Sequence, residues 1–177
     1  MDYRYRKHSE KQKTEQQEEA WSSQLRKAKI KALKILERMD RTEAQLREKL
    51  LQAEFSPELV EEAVAYVKSF GYIDDERYVR NYIEYRSSQK SRRQLEQELQ
   101  FRKGVSPELI QKVYEELEPA DEKIIIRRFL EKKKFAGTAT EEKVRQRLLA
   151  GLLRKGFRMG DILSVMKEDR WDQAADL

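Results

Sequence analysis

The chain has 177 residues, 40% of them charged, and no cysteine, which excludes disulfides, thiolate metal sites and a cysteine nucleophile together. Its net charge of +5 favours acidic or phosphate-bearing partners. The N-terminus is too polar for a signal peptide and no apolar run approaches the roughly 20 residues of a membrane span, so a cytoplasmic location with no membrane partner is expected.

Residues 1–24 are rich in Glu, Gln, Lys and Arg and read as a mobile polar tail that joins a first helix near Trp21. Ile30, Leu33 and Leu36 continue that helix at helical spacing. Thr42 then stands ahead of Leu46 and Leu50, and a hydroxyl before an apolar stripe at this spacing marks a helix start. Gln45 occupies the third position of a capping box. Ser56-Pro57-Glu58 is another start, with a hydroxyl N-cap, proline at the first helical position and an acid in the first turn.

Asp74 and Asp75 precede a helix marked by Tyr78, Tyr82 and Tyr85. Ser91, Leu95 and Leu99 repeat the Thr42 pattern 49 residues on, with Gln94 in the capping-box place. Ser106-Pro107-Glu108 repeats the Ser56 motif at a spacing of 50, and the added residue is assigned to the turn at Lys103-Gly104. Ile125, Ile126, Phe129 and Leu130 open a third group, and Thr140, Val144 and Leu148 give the pattern a third time. Phe157 to Ile162 is a looser copy that has lost both serine and proline, as terminal repeats often do.

These landmarks specify an all-α chain. Three tandem three-helix, helix-turn-helix-like repeats at 25–74, 75–120 and 121–169 form an elongated array, followed by a C-terminal tail at 170–177. Each repeat is too small to bury much core alone and leans on its neighbours. The expected caps are Thr42, Ser56, Asp74, Asp75, Ser91, Ser106 and Thr140.

Charge is uneven. Residues 41–74 carry four Lys/Arg against seven Asp/Glu, whereas residues 123–158 carry twelve against three and residues 77–103 eight against three. Clustered cations of this kind attract phosphate or an acidic protein face. Arg92 and Arg93 follow the cap at Ser91, where the helix dipole disfavours cations, so they read as an anion site. Lys132, Lys133, Lys134, Arg145, Arg147, Arg154 and Lys155 complete the candidate nucleic-acid or filament contacts. Tyr82, Tyr85 and Phe101 have spacings that suit core packing better than base stacking.

Enzyme chemistry finds no foothold. The single histidine, His8, lies in the tail, and no phosphate loop, dinucleotide fingerprint, zinc motif or nucleophile elbow occurs. Asp74-Asp75 stands where helix-capping acids belong, so no catalytic residue, metal, cofactor or small-molecule substrate is expected.

The segment GYIDDERYV (71–79) resembles the signature joining the first two units of the RecX family, bacterial regulators of the RecA recombinase. ALKILERMDRTEAQLREKL (32–50), ELQFRKGVSPELI (98–110) and LLRKGFRMGDIL (152–163) resemble further family segments in the same order, over about residues 28–168. The resemblance implies a modulator, usually an inhibitor, that lies in the groove of the RecA–DNA filament and damps strand exchange and ATP hydrolysis. The partners it implies are RecA, the RecA–DNA filament and single- or double-stranded DNA. A RecA-independent DNA-binding repeat protein and a scaffold for another acidic partner are the alternative readings of the same residues.

Overall fold

Wherever a hydroxyl precedes an apolar stripe in the described part of the chain, a helix begins. The computed structural model describes residues 3–117, 121–133 and 142–175, with side chains over 15–117, 121–133 and 143–167. Lys134 and Thr140 therefore lie outside the described residues. The helices are α1 (Tyr3–Arg38), α2 (Glu43–Leu51), α3 (Pro57–Ser69), α4 (Asp75–Arg86), α5 (Arg92–Gln97), α6 (Pro107–Glu116), α7 (Glu122–Lys132), α8 (Glu142–Arg154) and α9 (Met159–Ala175). A π-helical turn, Glu98–Arg102, continues α5 without a break. Among the described residues there is no strand, and no helix is long and apolar enough to cross a membrane. The chain forms two compact units, Met1–Tyr78 and Val79–Leu177, divided within α4.

Two ends differ from the sequence expectation. Helix α1 starts at Tyr3 rather than near Trp21, and α9 runs to Ala175, past the boundary expected at 169. Residues 3–24 and 161–175 hold no glycine or proline, and their Glu, Gln, Lys, Arg and Ala are good helix formers.

In the first unit Ala28 and Ala32 of α1, Leu46 and Leu50 of α2, Val60, Ala63, Val64 and Val67 of α3, and Ile73 form the core. The α1 stripe is thus built on two alanines one turn apart, which let α3 approach closely. Leu33 and Leu36 pack at its margin, while Ile30 is 45% exposed. In the second unit α4 buries Val79 and Ile83. The helical period then turns Tyr85 outward, 76% exposed, and Phe101 on the π-helical turn is 75% exposed. Neither is a core residue. Ile125, Ile126 and Leu130 of α7 pack with Leu148, Leu152, Phe157, Ile162, Val165 and Met166.

The added residue of the second repeat lies inside the helix, not in the turn. Phe55 N–H donates to Leu50 O and Phe157 N–H to Leu152 O, but Val105 N–H reaches Leu99 O, one residue further back. The π-helical turn takes up that residue and leaves the following turn unchanged. The residue before each of these donors is left-handed: Glu54 at φ 64°, Gly104 at 68° and Gly156 at 84°. Two repeats use glycine there and the first uses glutamate, against the Cβ penalty of that conformation. Glu54→Gly is therefore expected to stabilise the protein by about 0.5–1 kcal/mol, with glycine's greater unfolded-state entropy limiting the gain. Urea unfolding checks this, and an unchanged or lower midpoint would contradict it.

Candidate nucleic-acid interface

The N-cap residues of α2 and α5 are buried, and their side chains serve the backbone N–H groups of the first turn. Thr42 and Ser91 are both fully buried. Thr42 Oγ1 accepts from Gln45 N–H at 3.2 Å and Gln45 Oε1 accepts from Thr42 N–H at 3.4 Å, a complete capping box. Ser91 Oγ accepts from Gln94 N–H at 3.2 Å, but Gln94 Oε1 is buried without a hydrogen-bond partner among the described residues. The Ser91 hydroxyl instead donates to Lys155 O at 2.5 Å. It fits there because residue 156 is glycine: a Cβ at that position would lie 2.8 Å from Ser91 Oγ. Ser56 and Ser106 accept from Leu59 and Leu109 N–H at 3.5 and 3.3 Å.

The next donor at each start, part-buried at Glu43 and exposed at Arg92, goes to a carboxylate from a later helix. Glu43 N–H donates to Asp75 Oδ1 at 2.9 Å, and Arg92 N–H donates to Glu122 Oε1 at 2.6 Å. The preceding acid in each case caps its own helix: Asp74 accepts from Arg77 N–H and Asp121 from Lys123 N–H, both at 2.9 Å. Asp75 thus serves α2 rather than α4. Sequence reasoning misses the pair Asp121-Glu122, although it stands 47 residues after Asp74-Asp75. Burial raises the Asp75 carboxyl above its usual range, with the bond from Glu43 N–H opposing it.

This filling decides the role of Arg92. The N–H that an anion would take is held by Glu122, and the guanidinium bonds Glu96 at 2.7 Å and stacks over the Tyr114 ring at 4.3 Å. Arg93 is exposed, its side chain lying beside Gly156. Both border an open cleft of about 1280 Å³ in the second unit. Lys90, Arg92, Arg93, Lys123 and Arg158 line it, but so do Glu84, Glu96, Asp121, Glu122 and Asp161. Five cations against five anions do not make a phosphate trough. Lys90 is further committed, donating to both oxygens of Glu98 at 2.6 Å, while Tyr82 OH donates to Glu98 Oε2 at 2.8 Å. Burial opposes the Glu98 charge, yet Lys90 and Tyr82 outweigh it and hold the carboxyl below 4.5.

Helix α8 differs. Leu148 and Leu152 face the core with Val144 and Leu149 at its edge, and Arg145 is half-buried. The opposite face presents Lys143, Arg147, Ala150 and Arg154, all exposed, at positions i, i+4, i+7 and i+11. The three cations span roughly 16 Å along the axis at about 1.5 Å per residue. None of the three has an ion pair among the described residues. Sequence reasoning misses Lys143 too, though its spacing to Arg147 and Arg154 is legible. Lys132 and Lys133 are exposed at the end of α7, and Lys155 folds over Phe129, its Nζ 5.6 Å from the ring centre. Among the described residues no cluster of acids and histidines could hold a metal ion.

Residues 28–66 match "RecX, first three-helix domain" and residues 74–113 match "RecX, second three-helix domain". The chain is 39% identical over 111 residues to the regulatory protein RecX of Caldanaerobacter subterraneus subsp. tengcongensis, covering 62% of this chain and 56% of that one. It is 36% identical over 135 residues to the regulatory protein RecX of Trichlorobacter lovleyi, covering 73% and 86%. A crystal structure of regulatory protein RecX superposes with a TM-score of 0.72 at 22% identity, over 84% of this chain and 74% of that one, which shows a shared fold.

Two measurements test the part-buried carboxylates Asp75 and Glu98. Asp75→Ala should lower stability by about 1 kcal/mol by orphaning Glu43 N–H. Asp75→Asn keeps an acceptor and removes a charge that burial disfavours, so it should be neutral or stabilising at pH 7. Equal losses in both variants would contradict this assignment. For Glu98, whose folded pKa is depressed, the stabilisation is present above the unfolded value and lost as pH falls through the folded one. Glu98→Gln should cost about 1–3 kcal/mol at pH 7, and the wild-type and variant stabilities should converge below pH 4.5. A gap independent of pH would show that the charge is not what matters.

Proposed function

The chain belongs to the RecX family, and from that membership we propose that it is a cytoplasmic regulator that binds the RecA–DNA filament and inhibits RecA ATPase and strand exchange. The observation that carries the reading is the outward cationic face of α8. Lys143, Arg147 and Arg154 are held in line by a helix whose other side is packed, and the fold makes no ion pairs with them among its described residues. Such a row suits a phosphate backbone, where contacts fix position without reading sequence. Lys132 and Lys133, exposed at the end of α7, add further cations to the same compact unit. Three tandem three-helix groups, bounded near 74 and 120, would let one chain touch successive positions on a repeating polymer, so that weak contacts add through effective concentration. No cofactor or small-molecule substrate enters this scheme.

Adding the protein to RecA from the same organism tests it. Inhibition of ATPase and strand exchange is expected well below one molecule per RecA protomer, because blocking a growing end takes few molecules. Onset only near equal ratios would favour coating of the groove, and no effect at any ratio would overturn the reading. Replacing Lys143, Arg147 and Arg154 together by Ala should weaken filament or DNA binding. It should also flatten the salt dependence by about 0.7–0.9 log–log unit for each phosphate no longer neutralised, equally across DNA sequences. Arg92→Ala should lower stability instead, since that side chain serves the fold. Unchanged binding and inhibition in the triple variant would leave the α8 face merely solvated.

A further inference from the structure

The exposed aromatics of the second unit are the feature that neither the fold nor the α8 face explains. Tyr85 and Phe101 are 76% and 75% exposed, the two most exposed large hydrophobic side chains among the described residues. They are not isolated. Arg86 lies over both the Tyr82 and Tyr85 rings, its Cζ 5.5 and 5.8 Å from their centres, and Lys103 Nζ lies 5.7 Å from the Tyr82 centre. Tyr82 joins α4 to the π-helical turn through its bond to Glu98, and Phe101, Arg102 and Lys103 follow along that turn. The Glu98 charge is neutralised by Lys90, which leaves Glu84 as the exposed acid beside Tyr85 against Arg86, Arg102 and Lys103.

We propose that this joined surface is a stacking platform for the unpaired bases of single-stranded DNA, with Tyr85 and Phe101 as the rings and Arg86, Arg102 and Lys103 drawing in the backbone. Rings flanked by cations match a strand that alternates flat π-faces with phosphates. A protein partner would favour an apolar rim, whereas here Arg86 sits over the Tyr85 ring and Arg102 and Lys103 follow Phe101 in the chain. Phe101 lies on the π-helical turn two residues after buried Leu99, a spacing that faces it outward as it does the exposed Gln52 after Leu50, and such turns recur at functional sites. Stacking is indifferent to base identity, so the platform discriminates paired from unpaired strands rather than one sequence from another.

Fluorescence anisotropy with the intact protein, a labelled oligothymidylate and an abasic phosphodiester of equal length tests this without RecA, so the outcome is separate from that of the filament reading. The wild type should bind the base-bearing strand about tenfold tighter than the abasic one. Tyr85→Ala with Phe101→Ala should remove that difference and leave the salt slope unchanged, because the phosphate contacts remain. Both rings are exposed, so the variant's thermal melt should match the wild type. Tyr85→Trp should enlarge the difference, which keeps the test open should the double variant misfold. Equal binding of the two strands by the wild type overturns the proposal, as does full discrimination in a folded double variant. Loss of RecA inhibition with discrimination intact would also overturn it, marking the patch as a protein contact.

Discussion

A backbone N–H at the start of a buried helix must find an acceptor inside the protein, and here part of that acceptance is supplied by a later helix. Thr42 and Ser91 satisfy their own helices through side-chain oxygens, but the first helical residue of each, Glu43 and Arg92, donates to Asp75 and Glu122. An unmet donor at the part-buried Glu43 costs about 1–3 kcal/mol, and less at Arg92, where the bond is exposed to solvent. Directed bonds of this kind add to the cores formed within residues 28–73 and 125–166 in setting where the helices stand. Ser91 adds a further tie, from the start of α5 to the turn between α8 and α9, made possible by the missing side chain at Gly156.

The same bonds sort the cations into two kinds. Arg47 and Lys68 hold Glu43, Arg47 also reaches Glu61, Lys90 holds Glu98, and Arg92 rests on Glu96 and Tyr114. These groups shape the fold, and the cleft near α5 is balanced by acids. Lys143, Arg147 and Arg154 make no such pairs among the described residues. Net charge therefore says little about where a polyanion would bind; the pairing of each cation says more.

The π-helical turn shows how a small change in length is absorbed without disturbing a core. Leu50 and Leu99 hold equivalent buried places, and the turns after them begin alike. One added residue after Leu99 leaves the left-handed position occupied by Gly104 intact, and Phe101 faces outward as Gln52 does two residues after Leu50. The second repeat carries an aromatic residue at that outward place, where the first carries Gln52.

Helix starts and the all-α repeat class were legible in the sequence because they depend on neighbours within a turn or two. Ser56-Pro57-Glu58 and Ser106-Pro107-Glu108 read the same in isolation as in place, since the cap bonds reach only three residues. Most of the apolar stripes at Leu46, Leu50, Leu95, Leu99, Leu152 and Ile162 follow from helical period alone. What tertiary structure decided is which face of each helix turns inward and which charges are consumed. Ile30 and Ala32 both fit a stripe on α1, and close approach to α3 selected the alanine. Tyr85 shares a helix with Val79 and Ile83, and only their packing sends it outward. Arg92 looks like an anion site until Glu122, thirty residues away in the chain, takes the N–H beside it. Local bonding writes itself into short motifs, whereas burial and pairing depend on segments that meet only when the chain has folded.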